Sequence, residues 1–176
     1  TKNVSDYANA NTSKSASTRG WDVANLGGTA HTDYDYMRVH DVYELQHMDA
    51  NRVNAAVTGS DKKIIGRYML ANDIAASETQ DWDGGFQPIG SSDNSMGAFT
   101  GRFDGVGHTI TALHIRWDKH YIGLFGYADG ARIENLSLVD GNVNGGYVVG
   151  GIAGYADNTV IRNVSYAGAV VGESSV

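Results

Sequence analysis

Residue types with reactive potential crowd together most closely in the stretch Asp81-Trp82-Asp83-Gly, which Glu78 precedes. Paired carboxylates of this kind can act as general acid and base in a glycosidase or lyase, or give oxygen ligands to calcium. The indole between them has a flat apolar face on which a sugar ring can stack, and the same face can cover a neighbouring element. Each functional reading lacks a part. The spacing carries no further oxygen ligands of a recognisable calcium loop, and nothing places a third carboxylate or a base opposite the pair. Asp81, Trp82 and Asp83 are therefore candidates for a ligand loop, and no catalytic, cofactor or metal site is assigned.

Other chemistry is thinner. His31, His40, His47, His108, His114 and His120 include no His-x-x-x-His pair, and the chain has no Cys, so zinc, thiolate and disulfide chemistry have no support. No Gly-x-Ser-x-Gly elbow occurs. A net charge of −7, with 13 scattered Lys and Arg, opposes nucleic acid as a partner and anionic membranes as a surface. No apolar run reaches membrane-spanning length. The apolar share, 41% over 176 residues, suffices for one continuous core.

The elements that would carry these residues are set by a repeat. Gly123-Leu-Phe-Gly126-Tyr-Ala-Asp-Gly-Ala-Arg-Ile133-Glu-Asn135-Leu136-Ser-Leu138 matches Gly151-Ile-Ala-Gly154-Tyr-Ala-Asp-Asn-Thr-Val-Ile161-Arg-Asn163-Val164-Ser-Tyr166 at an offset of 28 (151 − 123). A weaker copy ends in Ile110, Leu113 and Ile115, which aligns with Ile133, Leu136 and Leu138 at an offset of 23 (133 − 110). Apolar residues alternate over short runs that Gly or Asn-Gly interrupts, which is a strand-and-turn pattern. Equivalent strands recur with no room between them for a crossover helix, so they stack in parallel as the coils of a β-helix. Asn135 and Asn163 fall at equivalent places and are expected to form an amide ladder. Gly123, Gly126, Gly151 and Gly154 mark positions with φ > 0 or no room for a Cβ. They make no phosphate nest, which would need a following helix.

These residues resemble a known family. Gly-Leu-Phe-Gly at 123–126 and Gly-Ile-Ala-Gly at 151–154 are similar to the GLUG repeat. Phe86-Gln-Pro-Ile-Gly90 followed by Phe99-Thr-Gly-Arg-Phe-Asp-Gly-Val-Gly-His-Thr-Ile110 is similar to its lead-in. Such repeats occur in large bacterial exoproteins resembling filamentous haemagglutinin, exported by two-partner secretion, and in the non-catalytic region of immunoglobulin-A1-cleaving metallopeptidases. The resemblance spans residues 37–172 and implies a right-handed parallel β-helix, outside the cell on a bacterial surface, with no particular ligand. Pro88 is the only proline, so the Asn-Pro-Asn motifs of the secretion domain itself are absent.

Residues 1–35, rich in Ser, Thr, Asn, Ala and Gly, read as a flexible or extended arm anchored by Trp21, Val23 and Leu26. Asp41-Val-Tyr-Glu44 is a capping box. It opens a helix with Val42, Leu45, Met48, Val53, Ala56 and Val57 on one side and Gly59 as its stop, so residues 36–60 read as a helical N-terminal cap. Residues 61–176 then form an all-β solenoid, with the first coil at Ile64, Tyr68, Leu70 and Ile74. The last coil carries Val170 and Val171 without a polar cap, so it is read as a fragment of a longer stack and as an edge for self-association. Asn-x-Ser sites at Asn3 and Asn11 are potential glycan acceptors, whereas those at Asn135 and Asn163 coincide with the ladder. The chain is thus expected to be a non-catalytic β-helical segment of a secreted adhesin or filament-forming exoprotein. Its receptor or surface glycan is undetermined. The alternative is an accessory region of a large secreted hydrolase, either a peptidase or a carbohydrate-active β-helix enzyme.

Overall fold

Runs of alternating residues make strands here, and single residues in the left-handed region bend them. Val106, Ala112, Asn135, Asp140 and Asn163 all have φ between 52° and 57°. Each stands at a corner, where a short strand ends and the next face of the coil begins. The computed structural model describes residues 23–24, 36–48, 63–64, 66–91 and 97–173, and it is a parallel β-solenoid of about four turns.

The chain passes through β1 (Val23–Ala24), β2 (Tyr36–Val39), helix α1 (Val42–Gln46), β3 (Lys63–Ile64), β4 (Arg67–Leu70) and β5 (Ile74–Ala75). A 3-10 turn (Ser77–Asp81) follows, then β6 (Ala98–Phe99), β7 (Arg102–Asp104), β8 (Thr109–Thr111) and β9 (His114–Trp117). The last two coils are β10 (Phe125–Asp129), β11 (Arg132–Gly145), β12 (Ala153–Asp157) and β13 (Val160–Gly172). One sheet stacks β3, β6, β10 and β12 in parallel. The second sheet, of nine strands with β1, stacks β2, β4 and β7 on the start of β11, β5 and β8 on its middle, and β9 on its end, with β13 covering β11 along its whole length.

Inward residues form columns through successive coils, because a strand side chain at every second position faces the bore. Met37, Tyr68, Phe103, Ile133 and Ile161 lie in one column, and Ile74, Ile110, Leu138 and Tyr166 in another. Phe99 and Phe103 both meet Phe125, at 5.0 and 5.5 Å between ring centroids. The last rung described is β13. Ile161 is 41% exposed and Val170 43%, whereas their equivalents Ile133 and Val143 are fully buried.

This register corrects the third copy read from the sequence. Ile133 pairs with Phe103, an offset of 30 (133 − 103), and Ile110 pairs with Leu138, an offset of 28 (138 − 110). Ile110-Leu113-Ile115 and Ile133-Leu136-Leu138 therefore belong to different corners of the coil. They look alike because both place a left-handed residue, Ala112 or Asn135, between two short strands.

The N-terminal end also differs from the sequence reading. Residues 36–39, assigned to a helical cap, form strand β2, one rung before the expected first coil, and pair with β4. Val23–Ala24 of the presumed arm adds antiparallel to β2. Asp41 caps α1 by accepting from the Glu44 N–H at 2.8 Å, and Glu44 reaches back to the His40 N–H at 2.8 Å. Val42, Leu45 and Met48 are buried in the common core. Gln46 ties the helix to the loop above by donating to the Gln87 carbonyl and accepting from its N–H, at 3.1 and 2.7 Å. Val53, Ala56, Val57 and Gly59 lie outside the described residues, as do Trp21, Leu26, Asn3 and Asn11.

Candidate functional site

The acidic loop is built around its indole. Trp82 is buried and packs on the Tyr43 ring of α1 at 5.4 Å, while Asp81 and Asp83 on either side are exposed. The Tyr43 hydroxyl donates to Glu78 of the preceding turn. Thr79, also buried, donates to the Ala76 carbonyl at 2.6 Å and accepts from the His114 N–H at 2.9 Å, which fastens the 3-10 turn to β9. Trp82 therefore has no free face for a sugar, and its neighbours in sequence, Asp81 at the end of the 3-10 turn and Asp83 in the turn that follows, face solvent. Among the described residues no group of three His, Asp or Glu is placed to hold a metal.

The repeat positions hold consecutive coils together. Asn163 Nδ2 donates to Asn135 Oδ1 at 3.1 Å, and Asn135 Nδ2 donates to Asp104 Oδ1 at 3.0 Å. Ser165 donates to the Ser137 hydroxyl at 2.9 Å beside them. The four signature glycines serve close approach, since none of them has a positive φ. A Cβ on Gly126 would stand 2.4 Å from the Gly90 carbonyl oxygen, and one on Gly154 would stand 2.4 Å from the Tyr121 backbone. Gly123 and Gly151 are as tightly overlain, by the Gly150 backbone and the Tyr166 ring. On the neighbouring face Glu134 accepts from Arg132 at 3.0 Å and Arg162 at 2.5 Å. Burial opposes the charge on Glu134, but the two guanidiniums outweigh it and hold the carboxyl below its ordinary value. His108 pairs with Asp73 at 3.1 Å one coil away. The Thr109 N–H first, and then His108, keep the Asp73 carboxyl low as well.

Among the described residues the largest cluster of exposed and half-buried rings lies on the outside of the sheet formed by β10 and β12. Tyr127 and Tyr155 are register partners with ring centroids 5.4 Å apart, and Tyr121 meets Tyr155 at 4.9 Å. His120 stacks on Tyr147 at 4.9 Å, with 22° between the ring planes. Two residues beyond the tyrosines on the same outward face, Asp129 and Asp157 are also register partners. Burial, and then the charges of Asp129 and Asp157, raise the Tyr127 phenol above its ordinary value. This cluster was missed in the sequence. Its signal was present as the twice-used Gly-Tyr-Ala-Asp at 126–129 and 154–157, but outward positions of a repeat give no pattern of their own, and the loop rings join the row only through stacking.

Halomucin of Haloquadratum walsbyi is 37% identical to the chain over 155 residues, which cover 85% of the chain and 2% of halomucin. The chain thus spans only a very small share of the length of the relative it matches. No family model and no solved structure matches the chain. The likeness to GLUG repeats and to filamentous haemagglutinin rests on the quoted motifs alone, and the archaeal relative adds nothing to the bacterial setting that they imply. No helix among the described residues is long and apolar enough to cross a membrane.

Proposed function

We propose that the chain is a non-catalytic, outward-displayed segment of a very large exported protein, serving adhesion or self-assembly through a repetitive β-solenoid surface. The observation that carries this reading is the match of 85% of the chain to 2% of halomucin, set beside a stack whose repeat positions are occupied in joining coils. A solenoid contacts only its neighbours, so it serves as an extendable spacer and display surface. The C-terminal coil suits self-association. In this chain β13 pairs with β11 on one side, with half-exposed Ile161, Val170 and Val171 along it, and such an edge takes a further strand, either from a following coil or from a second copy.

Two measurements test it. An antibody raised to the segment should label intact cells of the source organism, and labelling only after lysis overturns display outside the cell. Light scattering of the chain should show association that is lost when one more native coil and a polar cap are added. If both forms stay monomeric at equal concentration, the edge does not drive assembly. A peptidase or glycosidase motif elsewhere in the full-length gene would favour the accessory-region alternative.

A further inference from the structure

Tyr147, His120 and Tyr121 form a row of rings with centroid steps of 4.9 and 6.3 Å, and the row ends in a triangle of Tyr121, Tyr155 and Tyr127 at 4.9, 5.4 and 6.2 Å. Tyr155 is 42% exposed and Tyr147 40%. The row runs over two loops and two strands and ends beside Asp129 and Asp157. A cross-strand tyrosine pair can stabilise a sheet on its own. That accounts for Tyr127 and Tyr155 but not for three further rings brought from residues 118–124 and 146–152 to the same surface.

We propose that this row is a binding platform for an uncharged carbohydrate chain. The apolar C–H faces of pyranose rings pack on aromatic faces, and a patch of five rings can meet more than one sugar. Sugar hydroxyls find charged acceptors in Asp129 and Asp157, and hydrogen bonds to ionised acceptors are the stronger kind. Among the described residues neither carboxylate has a salt bridge, so both are available. Other occupants fit the chemistry less well. Nucleic-acid bases also stack on aromatic rings, but their phosphates would meet two carboxylates on a chain of net charge −7. Sialylated or sulfated glycans meet the same repulsion. An apolar protein surface would bury the two carboxylates unpaired, which is costly.

The inference deepens the display reading and is measured apart from it, since a displayed segment need not bind sugar. The whole chain is titrated calorimetrically with maltohexaose, cellohexaose and mannohexaose, with sialyllactose and a heparin hexasaccharide as anionic counterparts. Saturable binding of a neutral probe is expected, nearly unchanged between about 0.1 and 1 M salt because stacking is not screened. Tyr155→Ala and, independently, Tyr147→Ala should each weaken it about tenfold, while Tyr155→Phe keeps it within about twofold. Asp129→Asn with Asp157→Asn should weaken it without abolishing it. Val106→Ala, at an exposed site away from the row, should bind as the parent does, and all variants should melt cooperatively. The proposal is overturned by no saturable heat with any neutral probe, by binding of the anionic probes alone, or by equal losses in Val106→Ala and Tyr155→Ala.

Discussion

Asn163 donates its side-chain amide to the Asn135 side-chain oxygen Oδ1 at 3.1 Å, and both residues sit in the left-handed region at the same corner of successive coils. The two facts depend on each other. Asn tolerates that conformation better than other side chains with a Cβ, and the same corner aims its amide along the stack. Asn135→Ala should cost about 2 to 4 kcal/mol, combining left-handed strain with lost ladder bonds. Asn135→Gly should cost about 1 to 2 kcal/mol, since only the bonds are lost. Urea unfolding of both variants checks the ranking, and equal losses would show that the conformation plays no part.

Leu136 and Ser137 test the alternation itself. Leu136 is buried and Ser137 faces outward to accept from Ser165. Leu136→Ala should lower stability by about 2 to 5 kcal/mol, as expected for a packed leucine that leaves a cavity. Ser137→Ala should lower it by about 0.5 to 1.5 kcal/mol, as for one exchanged hydrogen bond. The reverse order in denaturant unfolding would put the strand register one residue out.

The parallel stack, the bore-facing columns between Ile133 and Tyr166 and the asparagine ladder were legible because they recur at one offset, and recurrence needs no knowledge of geometry. The earlier coils were less so. Ala112 and Asn135 make similar corners on different faces, so matching corner to corner slid the first copy round the coil by one face. Strand β2 was hidden because four residues beside a capping box carry too little alternation to stand out. Trp82 could be read either way, because only the Tyr43 ring, far away in sequence, decides that it points inward. The same holds for the row from Tyr147 to Tyr127, whose members come from two copies and the loops between them.

Acid should loosen the stack through Glu134 and Asp73. Both carboxyls are held below their ordinary values of 4.5 and 3.8 in the folded chain. A depressed carboxyl stabilises the fold above its unfolded-state value, and that contribution fades as pH falls through the folded value. The urea midpoint should therefore be flat near neutrality and fall below about pH 4.5. Glu134→Gln should flatten that fall, and Asp73→Asn should change it less because Asp73 is largely exposed to solvent. A midpoint that falls equally steeply in Glu134→Gln would assign the acid sensitivity to other groups.

The loop that first draws attention in the sequence should respond to substitution in two opposite ways. Trp82 fills the space between the first coils and α1, so Trp82→Ala should cost about 3 to 5 kcal/mol, as for a buried aromatic side chain. Asp81 and Asp83 are exposed, and surface changes away from caps and ion pairs fall within about 0.5 kcal/mol. The double variant Asp81→Asn with Asp83→Asn should therefore unfold at nearly the parental urea midpoint. Its calcium titration and its binding to the neutral hexasaccharides should also match the parent. A change in either ligand measurement, with the midpoint held, would show that the two carboxylates bind something after all. A drop in the midpoint as large as that of Trp82→Ala would instead show that they support the loop.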